Sequence, residues 1–506
     1  MKVANPKLTL CAFHLRNNLA QGEDEPVNNA NHLWEECQRL GQKLHVPRLE
    51  SLIERLQENN GQIGVSSNQD NSRYLELLQP ENPLRFSAIP EGSKPQLQGE
   101  VYPLQIHDTY AVDLTLRYPY PNVDIHQLEG LNPQGCLLPS QIKASLGQTL
   151  VLFAQPEGQI QDIQEFANGC LAAILPKSEV AQFLRSPPTQ GIFLGSPIFE
   201  YDNNREHPAE HCHILVWLNC DPETTTLEAA GDYYQPLINL LCCRHKILYA
   251  YSESRWCNQK ARLLYRKLEV KAKAFRQLPS EPTPKLKQLK EWLTEIPTLA
   301  FEYANYLRDI DIHRTTIETN LINYKLWLKQ LQDIGIQSRD NLDFLERFIN
   351  VTQDNYIKQI NVDLSCLMPS QQVFGQMIEA SRGIVETEQA ERDRALQNTV
   401  AIVGVGLATA AVGATVAPYI IPTEPRQPIL PPFSTNHLHP LTQSLLLSLV
   451  FGVGGAVVTK GVIALIQNRG VIAGHITKLI RGNRNKTVQL SGNTQQTLPQ
   501  SKKQNQ

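Results

Sequence analysis

Residues 207–220 hold the densest set of metal-binding side chains in the chain, in the sequence HPAEHCHILVWLNC. In a β-strand His211 and His213 would share one face and Cys212 would take the other, because successive side chains alternate. His207 or Cys220 would supply a third ligand, and zinc accepts such nitrogen and sulfur donors. The spacing matches no established zinc pattern, so a polar strand end is the competing interpretation of His211, His213 and Cys220.

Few other residues are candidates for catalysis or metal binding. Cys242 and His245 lie three apart in a helical pattern, and the acids before residue 399 alternate with arginines, as on a solvated ion-pair face. The sequence has no P-loop, GxSxG elbow, HExxH motif, EF-hand loop or dinucleotide-binding glycine fingerprint. We therefore expect a protein that is not an enzyme and uses no cofactor. A membrane-tethered enzyme with an unrecognised active site is one alternative.

Composition limits the class of protein. The chain has 506 residues, of which 41% are apolar and 19% charged, as in folded proteins of several units. A net charge of −3 argues against a basic nucleic-acid-binding protein. Ten cysteines without a CxxC pair indicate reduced thiols, and the first residues lack a signal-peptide pattern. Most of the chain is therefore expected in the cytoplasm.

Two apolar runs near the carboxyl end predict a transmembrane hairpin. Residues 399–421 carry no charge, and residues 441–466 carry only Lys460. Each run exceeds the ~20 helical residues that cross a hydrocarbon core, although a pair of buried core helices is the alternative. The connector 422–440 is rich in proline and holds one basic residue, whereas Lys and Arg cluster outside the hairpin. The positive-inside rule therefore predicts a multi-pass protein of a bacterial-type inner (plasma) membrane with both termini cytoplasmic.

Small residues crowd both predicted spans and would let helix backbones approach closely in lipid. They pack either within one hairpin or between protomers of a homo-oligomer. The predicted packing residues are Gly404, Gly406, Ala410, Gly413, Ala414, Ala417, Gly452, Gly455 and Ala456.

Residues 231–398 predict a helical stalk. Residues 233–275 form one helical pattern, and a second runs over 285–332, where Ile310, Ile317, Leu321, Tyr324, Leu328 and Leu331 make a heptad-like seam. A third covers 341–363, and Pro369 predicts the start of a helix that continues into the first span. The seam fits either an intramolecular helical bundle or an intermolecular coiled coil.

Residues 1–230 predict an α/β or α+β cytosolic domain. Strand patterns occur at 8–15, 110–118, 149–155, 191–201 and 213–219, and helical patterns at 29–44, 47–58, 161–170 and 177–185. Residues 61–98 are polar and proline-rich, which predicts a loop with at most one short strand. After the second span, residues 467–506 predict a basic amphipathic segment followed by a disordered tail.

This order of elements resembles that of the CorA family of magnesium channels, which have a cytosolic α/β domain, long stalk helices and two spans joined by a short outer connector. The resemblance implies a homo-oligomer. It does not extend to the family's Gly-Met-Asn signature, because Ala417, Pro418 and Tyr419 occupy that end of the first span. Magnesium selectivity and ion-binding residues therefore do not carry over.

From these features we expect an integral membrane protein that couples a cytosolic sensing domain, through a helical stalk, to a two-span hairpin. Its partners would be the lipid bilayer, copies of itself and an unknown cytosolic ligand. A divergent divalent-cation transporter is the other alternative.

Overall fold

The computed structural model describes residues 1–17, 27–60, 74–78, 81–88, 97–279, 281–336 and 339–389, with a few single residues between 408 and 458. Apart from those few residues, both predicted spans lie outside the described residues. So do all the small residues predicted for membrane packing, the connector and the basic tail. Among the residues that are described, no helix combines the length and the apolar character needed to cross a bilayer.

A mixed ten-stranded sheet forms the amino-terminal part. Its strands are β1 (Lys2–Leu15), β2 (Tyr74–Glu76), β3 (Leu84–Ala88), β4 (Leu97–Ile106), β5 (Thr109–Arg117), β6 (Asn122–Asp124), β7 (Gly147–Glu157), β8 (Thr189–Phe193), β9 (Ser196–Asp202) and β10 (Cys212–Leu218). The spatial order is β2-β4-β5-β1-β7-β10-β9-β8, with β3 on β4 and β6 on β1. Among the strands that the structure describes, only β7 and β10 pair in parallel. The sheet with its helices confirms the predicted mixed α and β class.

Helices lie between the strands of the sheet, and after β10 all the described elements are helical. They are α1 (His32–Leu44), α2 (Pro47–Glu50), α3 (Leu52–Asn60), α4 (Pro139–Ile142), α5 (Ile163–Ile174), α6 (Lys177–Phe183), α7 (Pro222–Ala230), α8 (Tyr234–Phe275), α9 (Pro282–Ile334), α10 (Asp343–Val351) and α11 (Lys358–Gln389). Short 3-10 helices cover Ile125–Leu131, Pro133–Gly135 and Pro208–Glu210, and a π-helical turn, Thr352–Ile357, joins α10 to α11.

Both faces of the sheet are buried. On one face Leu8, Leu10 and Ala12 of β1 belong to the main hydrophobic core, together with residues of α1 and α5. The other face lies under α8, where the ring of Phe13 is 5.3 Å from that of His245. Trp217 of β10 is on this second face and contacts the rings of Phe153 and Tyr233. The second face therefore carries the side chains that meet α8.

The predicted strand at 191–201 is wrong as a single strand, because it is a hairpin. Leu194 (φ 51°) and Gly195 (φ 83°) form the turn between β8 and β9. A two-residue hairpin turn with two positive φ angles matches the twist of its strands. The backbone amides of Leu194 and Gly195 donate to the carboxylate of Asp340 at 2.8 and 2.7 Å. A side chain distant in sequence thus fixes the turn.

The prediction of at most one short strand within 61–98 is also wrong. Strands β2 and β3 both lie there, and β4 begins at Leu97. In β3 the alternation is regular, since Leu84, Phe86 and Ala88 are buried while Arg85 and Ser87 are exposed. The flanking prolines and asparagines conceal this short pattern. Pairing with the long strand β4 provides the backbone hydrogen bonds that a five-residue segment lacks alone.

The helical region confirms two predictions and corrects one. Helices α8 and α9 match the predicted patterns, and all six seam residues are at most 4% exposed in a single chain, which favours the intramolecular interpretation. The predicted helix start at Pro369 is wrong, because α11 begins at Lys358 and continues through this proline. An internal proline costs about 3 kcal/mol. Burial of Leu364, Leu367 and Phe374 on either side offsets that cost.

The chain divides into two compact units. One comprises Met1–Arg276 and Ile296–Gly375, and it contains the whole sheet, α8 and most of α9. The predicted boundary near residue 230 therefore lies inside a compact unit. The other unit includes Gln277–Glu295 and the chain from Gln376 onwards. Its described residues comprise the start of α9 and the end of α11, with Leu289 and Val385 buried.

Candidate functional site

A network of ionisable side chains lies where β9 and β10 meet α8. Strand β9 supplies Glu200 and Asp202, and α8 supplies the consecutive residues Arg244 and His245. His213 is in β10, and His211 directly precedes that strand. The antiparallel register of β9 and β10 pairs His213 with Asp202, so acid and histidine side chains become neighbours across the ladder.

The buried guanidinium of Arg244 is shared by two carboxylates. Its Nη2 lies 3.1 Å from Asp202 Oδ2 and 3.5 Å from Glu200 Oε1. His211 Nε2 lies 2.9 Å from the same Asp202 oxygen, and His213 Nε2 lies 3.0 Å from Glu200 Oε1. Each carboxylate therefore has one histidine and the arginine as partners. Such pairing is what allows charged groups to remain buried.

The network continues behind the strands through Thr149 of β7. The hydroxyl of Thr149 lies 3.2 Å from His213 Nδ1 and 2.9 Å from His245 Nε2. Neutral His213 carries its proton on Nε2, toward Glu200, so its Nδ1 must accept the Thr149 proton. Thr149 then accepts from His245 Nε2, which leaves His245 Nδ1 as an acceptor. That atom is buried and has no hydrogen-bond partner in the described part of the chain.

Burial and pairing set the charges of this network. Burial opposes ionisation of Glu200, but Arg244 and His213 outweigh it and lower the pKa of Glu200 to about 2. Burial also disfavours charged Asp202, yet His211 and Arg244 hold the pKa of that carboxyl well below its usual range. Burial and then the charge of Arg244 lower the pKa of His213, and burial with the neighbouring histidines lowers that of His245. Both acids are therefore ionised, and His213 and His245 are neutral, near neutral pH.

Two of the residues predicted as metal ligands, His211 and His213, contact the carboxylates of Asp202 and Glu200. The third, Cys220, has an exposed, free thiol. The described part of the chain has no group of three or more His, Cys, Asp or Glu side chains that could hold a metal ion. His245, which lies three residues after Cys242 in α8, contacts the hydroxyl of Thr149.

Glu200, Asp202, His211 and Arg244 of this network form the inner wall of a cleft of about 760 Å³. That volume lies within the range of roughly 300–1,000 Å³ typical of small-molecule sites. Basic and aromatic side chains from several elements line the cleft, together with the acids Glu200, Asp202 and Glu206. The basic residues are Arg205, Arg244, Arg255 and Arg347, and the aromatic ones include Phe183, Tyr251, Phe344, Phe348 and Tyr356.

The π-helical turn brings its aromatic residue to this cleft. Tyr356 stacks on Tyr251 of α8 with ring centroids 4.1 Å apart, and Phe348 lies under Arg244, whose guanidinium carbon is 4.5 Å from the ring centre. The hydroxyl of Thr352 donates to the carbonyl of Phe348 at 2.8 Å, within the change of helical register. Single π turns inside α-helices occur frequently at functional sites.

Arg255 connects the cleft to α11. It lines the cleft and also forms an ion pair with Asp363, whose side chain is only 1% exposed. Arg262 Nη2 lies 3.2 Å from the other oxygen of Asp363, and Gln359 donates to that oxygen at 3.3 Å. A buried carboxylate thus joins α8 to α11 through two arginines.

A second buried carboxyl, Asp113 of β5, lies on the sheet face that α8 covers. Its partners are weak, because Cys11 Sγ is 3.7 Å away and Thr115 Oγ1 is 3.4 Å away. Burial is the largest influence and raises the pKa of Asp113 to about 7, against the smaller opposing influence of Cys11, Tyr234 and Thr115. Asp113 is therefore poised to change charge near neutral pH.

Sequence reasoning identified the histidines but missed their partners. Glu200, Asp202 and Arg244 lie in separate segments, and only the sheet and α8 bring them together. The available signal was modest: Glu200 and Asp202 alternate at a strand end, and Arg244 stands inside an otherwise apolar helical stretch, where an unpaired arginine would be costly.

Comparison with known proteins identifies no relative, since no protein-family model, curated protein or solved structure matches this chain.

Proposed function

We propose that this chain is a non-enzymatic membrane protein whose cytosolic domain senses a small molecule in the cleft and transmits its binding through the helices to a two-span hairpin. The membrane part of the proposal rests on the two apolar runs, 399–421 and 441–466, and on the positions of the basic residues around them.

The observation that carries the sensing part is the double role of Arg255. Its guanidinium lines the cleft and pairs with the buried Asp363 of α11. A molecule that attracts or displaces Arg255 changes the partners of Asp363, and α11 leads along the chain toward residue 399. Differential contacts of this kind are what allow a ligand to shift a conformational equilibrium.

The geometry favours binding over catalysis. Arg244 pairs with both acids of the network, and their lowered pKa makes both carboxylates weak general bases. The cleft combines a few polar groups with aromatic walls, as in ligand-binding pockets generally.

Site-specific labelling tests the membrane part of the proposal. A Ser434→Cys variant, which places a thiol in the predicted outer connector, is treated in intact cells with a membrane-impermeant maleimide. We expect the introduced thiol to react without lysis, while native Cys220, an exposed thiol of the amino-terminal part, reacts only after lysis. Recovery of the full-length chain in the aqueous fraction without detergent would contradict the proposal, as would an introduced thiol that reacts only after lysis.

Ligand-dependent hydrogen exchange tests the coupling. We expect a molecule that binds in the cleft to change exchange of the α11 amides, and an Asp363→Asn variant to lose this response while it keeps binding. Unchanged exchange of α11 at saturating ligand would contradict the sensing mechanism.

A further inference from the structure

We propose that the cleft binds a small soluble anion, with a phosphate or carboxylate group held by Arg205 and Arg347. This inference deepens the proposed function, because it names the chemical class of the molecule that the domain would sense.

The first step is the pairing of charges inside the cleft. Glu200 and Asp202 already have partners, because Arg244 and one histidine contact each of them and Thr189 donates to Glu200 at 2.6 Å. Their negative charge is thus compensated within the protein. A cationic ligand would have to compete with these partners for both carboxylates.

The outer arginines are in the opposite situation. Among the residues that the structure describes, the side chain of Arg205 bonds only the neutral amide oxygen of Gln182, at 3.2 Å. Arg347 has no hydrogen bond or ion pair with any residue that the structure describes, and both arginines are exposed. Of the acids lining the cleft, only Glu206 is without a partner among the described residues. The positive charge that is free to bind a ligand therefore exceeds the negative charge.

The inner wall adds one unsatisfied donor. Arg244 is 6% exposed, and its buried Nε has no partner in the described part of the chain. Arg244 Nε–H can only donate, so it requires an acceptor. Buried polar groups without partners are rare in folded proteins, and Arg244 lines a cleft large enough for a ligand. An anion with several oxygens offers acceptors to Arg244 and to the two outer arginines.

Arginine is suited to this role because its planar fork matches the oxygens of carboxylate and phosphate. Arg205 follows β9 and Arg347 lies in α10, so an anion bound to both would connect the end of β9 to the helix that precedes the π turn of Tyr356.

Calorimetry on the full-length chain in detergent tests this inference with pyrophosphate and citrate as probes and trehalose as the neutral control. We expect at least one of the two anions to bind, with an affinity that falls as salt is added. Arg347→Ala and Arg205→Ala should each weaken binding about tenfold, as expected for loss of a charge-assisted hydrogen bond. Arg308→Ala removes another exposed arginine, which lies on α9 outside the cleft, and should leave the affinity unchanged.

Glu206→Gln gives a test in the opposite direction. Removal of its charge relieves repulsion of an anion, so the same probe should bind roughly two- to fivefold more tightly. The inference is overturned if neither anion binds, if the arginine variants behave like Arg308→Ala, or if Glu206→Gln weakens binding. Failure of anion binding in a chain that passes the Ser434→Cys labelling test overturns this inference alone. Failure of the labelling test overturns the proposed function. The calorimetric result still decides whether the anion site exists.

Discussion

At the scale of single residues, Gly147 shows how closely the backbone approaches the histidine network. Its φ is +104°, and a Cβ there would lie 2.9 Å from His245 Nδ1 and 2.9 Å from the carbonyl oxygen of Pro208. The residue therefore combines a backbone conformation that favours glycine with contact on two sides. It also begins β7, two residues before Thr149, so its geometry helps to set the position of that hydroxyl.

We expect Gly147→Ala to destabilise the protein by about 2–4 kcal/mol, because it adds backbone strain and a clash with His245. Gly158→Ala is the matched control, since Gly158 has a φ of +90° with nothing within 4 Å of the added Cβ. Gly158→Ala should lose only the stability that backbone strain at a positive φ costs, about 1 kcal/mol. Urea denaturation measures both, and equal losses would show that contact with His245 is unimportant.

Asp113 leads to a prediction about pH. Its pKa is about 7 in the folded protein and about 4 in the unfolded chain, so the folded state binds the extra proton between these values. Its contribution to stability is complete below about pH 4 and is lost as pH rises toward 7. Asp113→Asn removes this loss and should be more stable than the native chain at pH 8 by roughly 2–4 kcal/mol, with little difference at pH 4.

The comparison is made by urea denaturation at the two pH values. Asp124→Asn, at an exposed position of β6, serves as the control and should show no such dependence. The prediction would be contradicted by an equal difference in unfolding free energy between the native chain and Asp113→Asn at both pH values, because Asp113 would then not titrate across this range.

At the scale of elements, one buried carboxylate contributes to the contact between α8 and α11. Asp363 is buried, whereas the side chains of its partners Arg255 and Arg262 are 31% and 52% exposed. Both arginines remain solvated when the acid is neutralised, so the cost is smaller than for a fully buried pair. We expect Asp363→Asn to destabilise the protein by about 1–3 kcal/mol and to speed hydrogen exchange in α11.

Asp354→Asn is the matched control, because Asp354 forms an exposed pair with Lys358. An exposed pair contributes about 0–1 kcal/mol. Similar effects of the two variants on stability and exchange would mean that burial of Asp363 does not join the helices.

The elements also show which patterns can be recognised in sequence. Helices α8 and α9 are long and periodic, so local spacing predicts them. Strand β3 and the β8–β9 hairpin are short, and they depend on partners elsewhere: β4 for the first, and Asp340 for the turn of the second. The helix start predicted at Pro369 is wrong, because proline's local preference for a first helical position is outweighed by the free energy gained from burial of neighbouring side chains in α11.

At the scale of the whole molecule, the apolar runs and the small residues within them lead to a prediction about assembly. Close packing of small residues between helices is a common basis for association in lipid. We expect the full-length chain in detergent to have the mass of a homo-oligomer, measured by light scattering with correction for bound detergent. Gly413→Leu, in the predicted packing face, should reduce that mass, whereas Ile402→Leu in the same run should not. A strict monomer would remove the prediction of packing between protomers.

The sequence alone determined the features that depend on local periodicity: the central strands, the long helices, the heptad-like seam and two apolar runs long enough to span a bilayer. Only the tertiary structure decided that the histidines bind Asp202 and Glu200, that Arg244 and Arg255 line one cleft, and that the π turn brings Tyr356 to it. The physical reason is that these side chains come from segments far apart in the chain. Strand register and the packing of α8 on the sheet set their distances, and neither leaves a local pattern in the sequence.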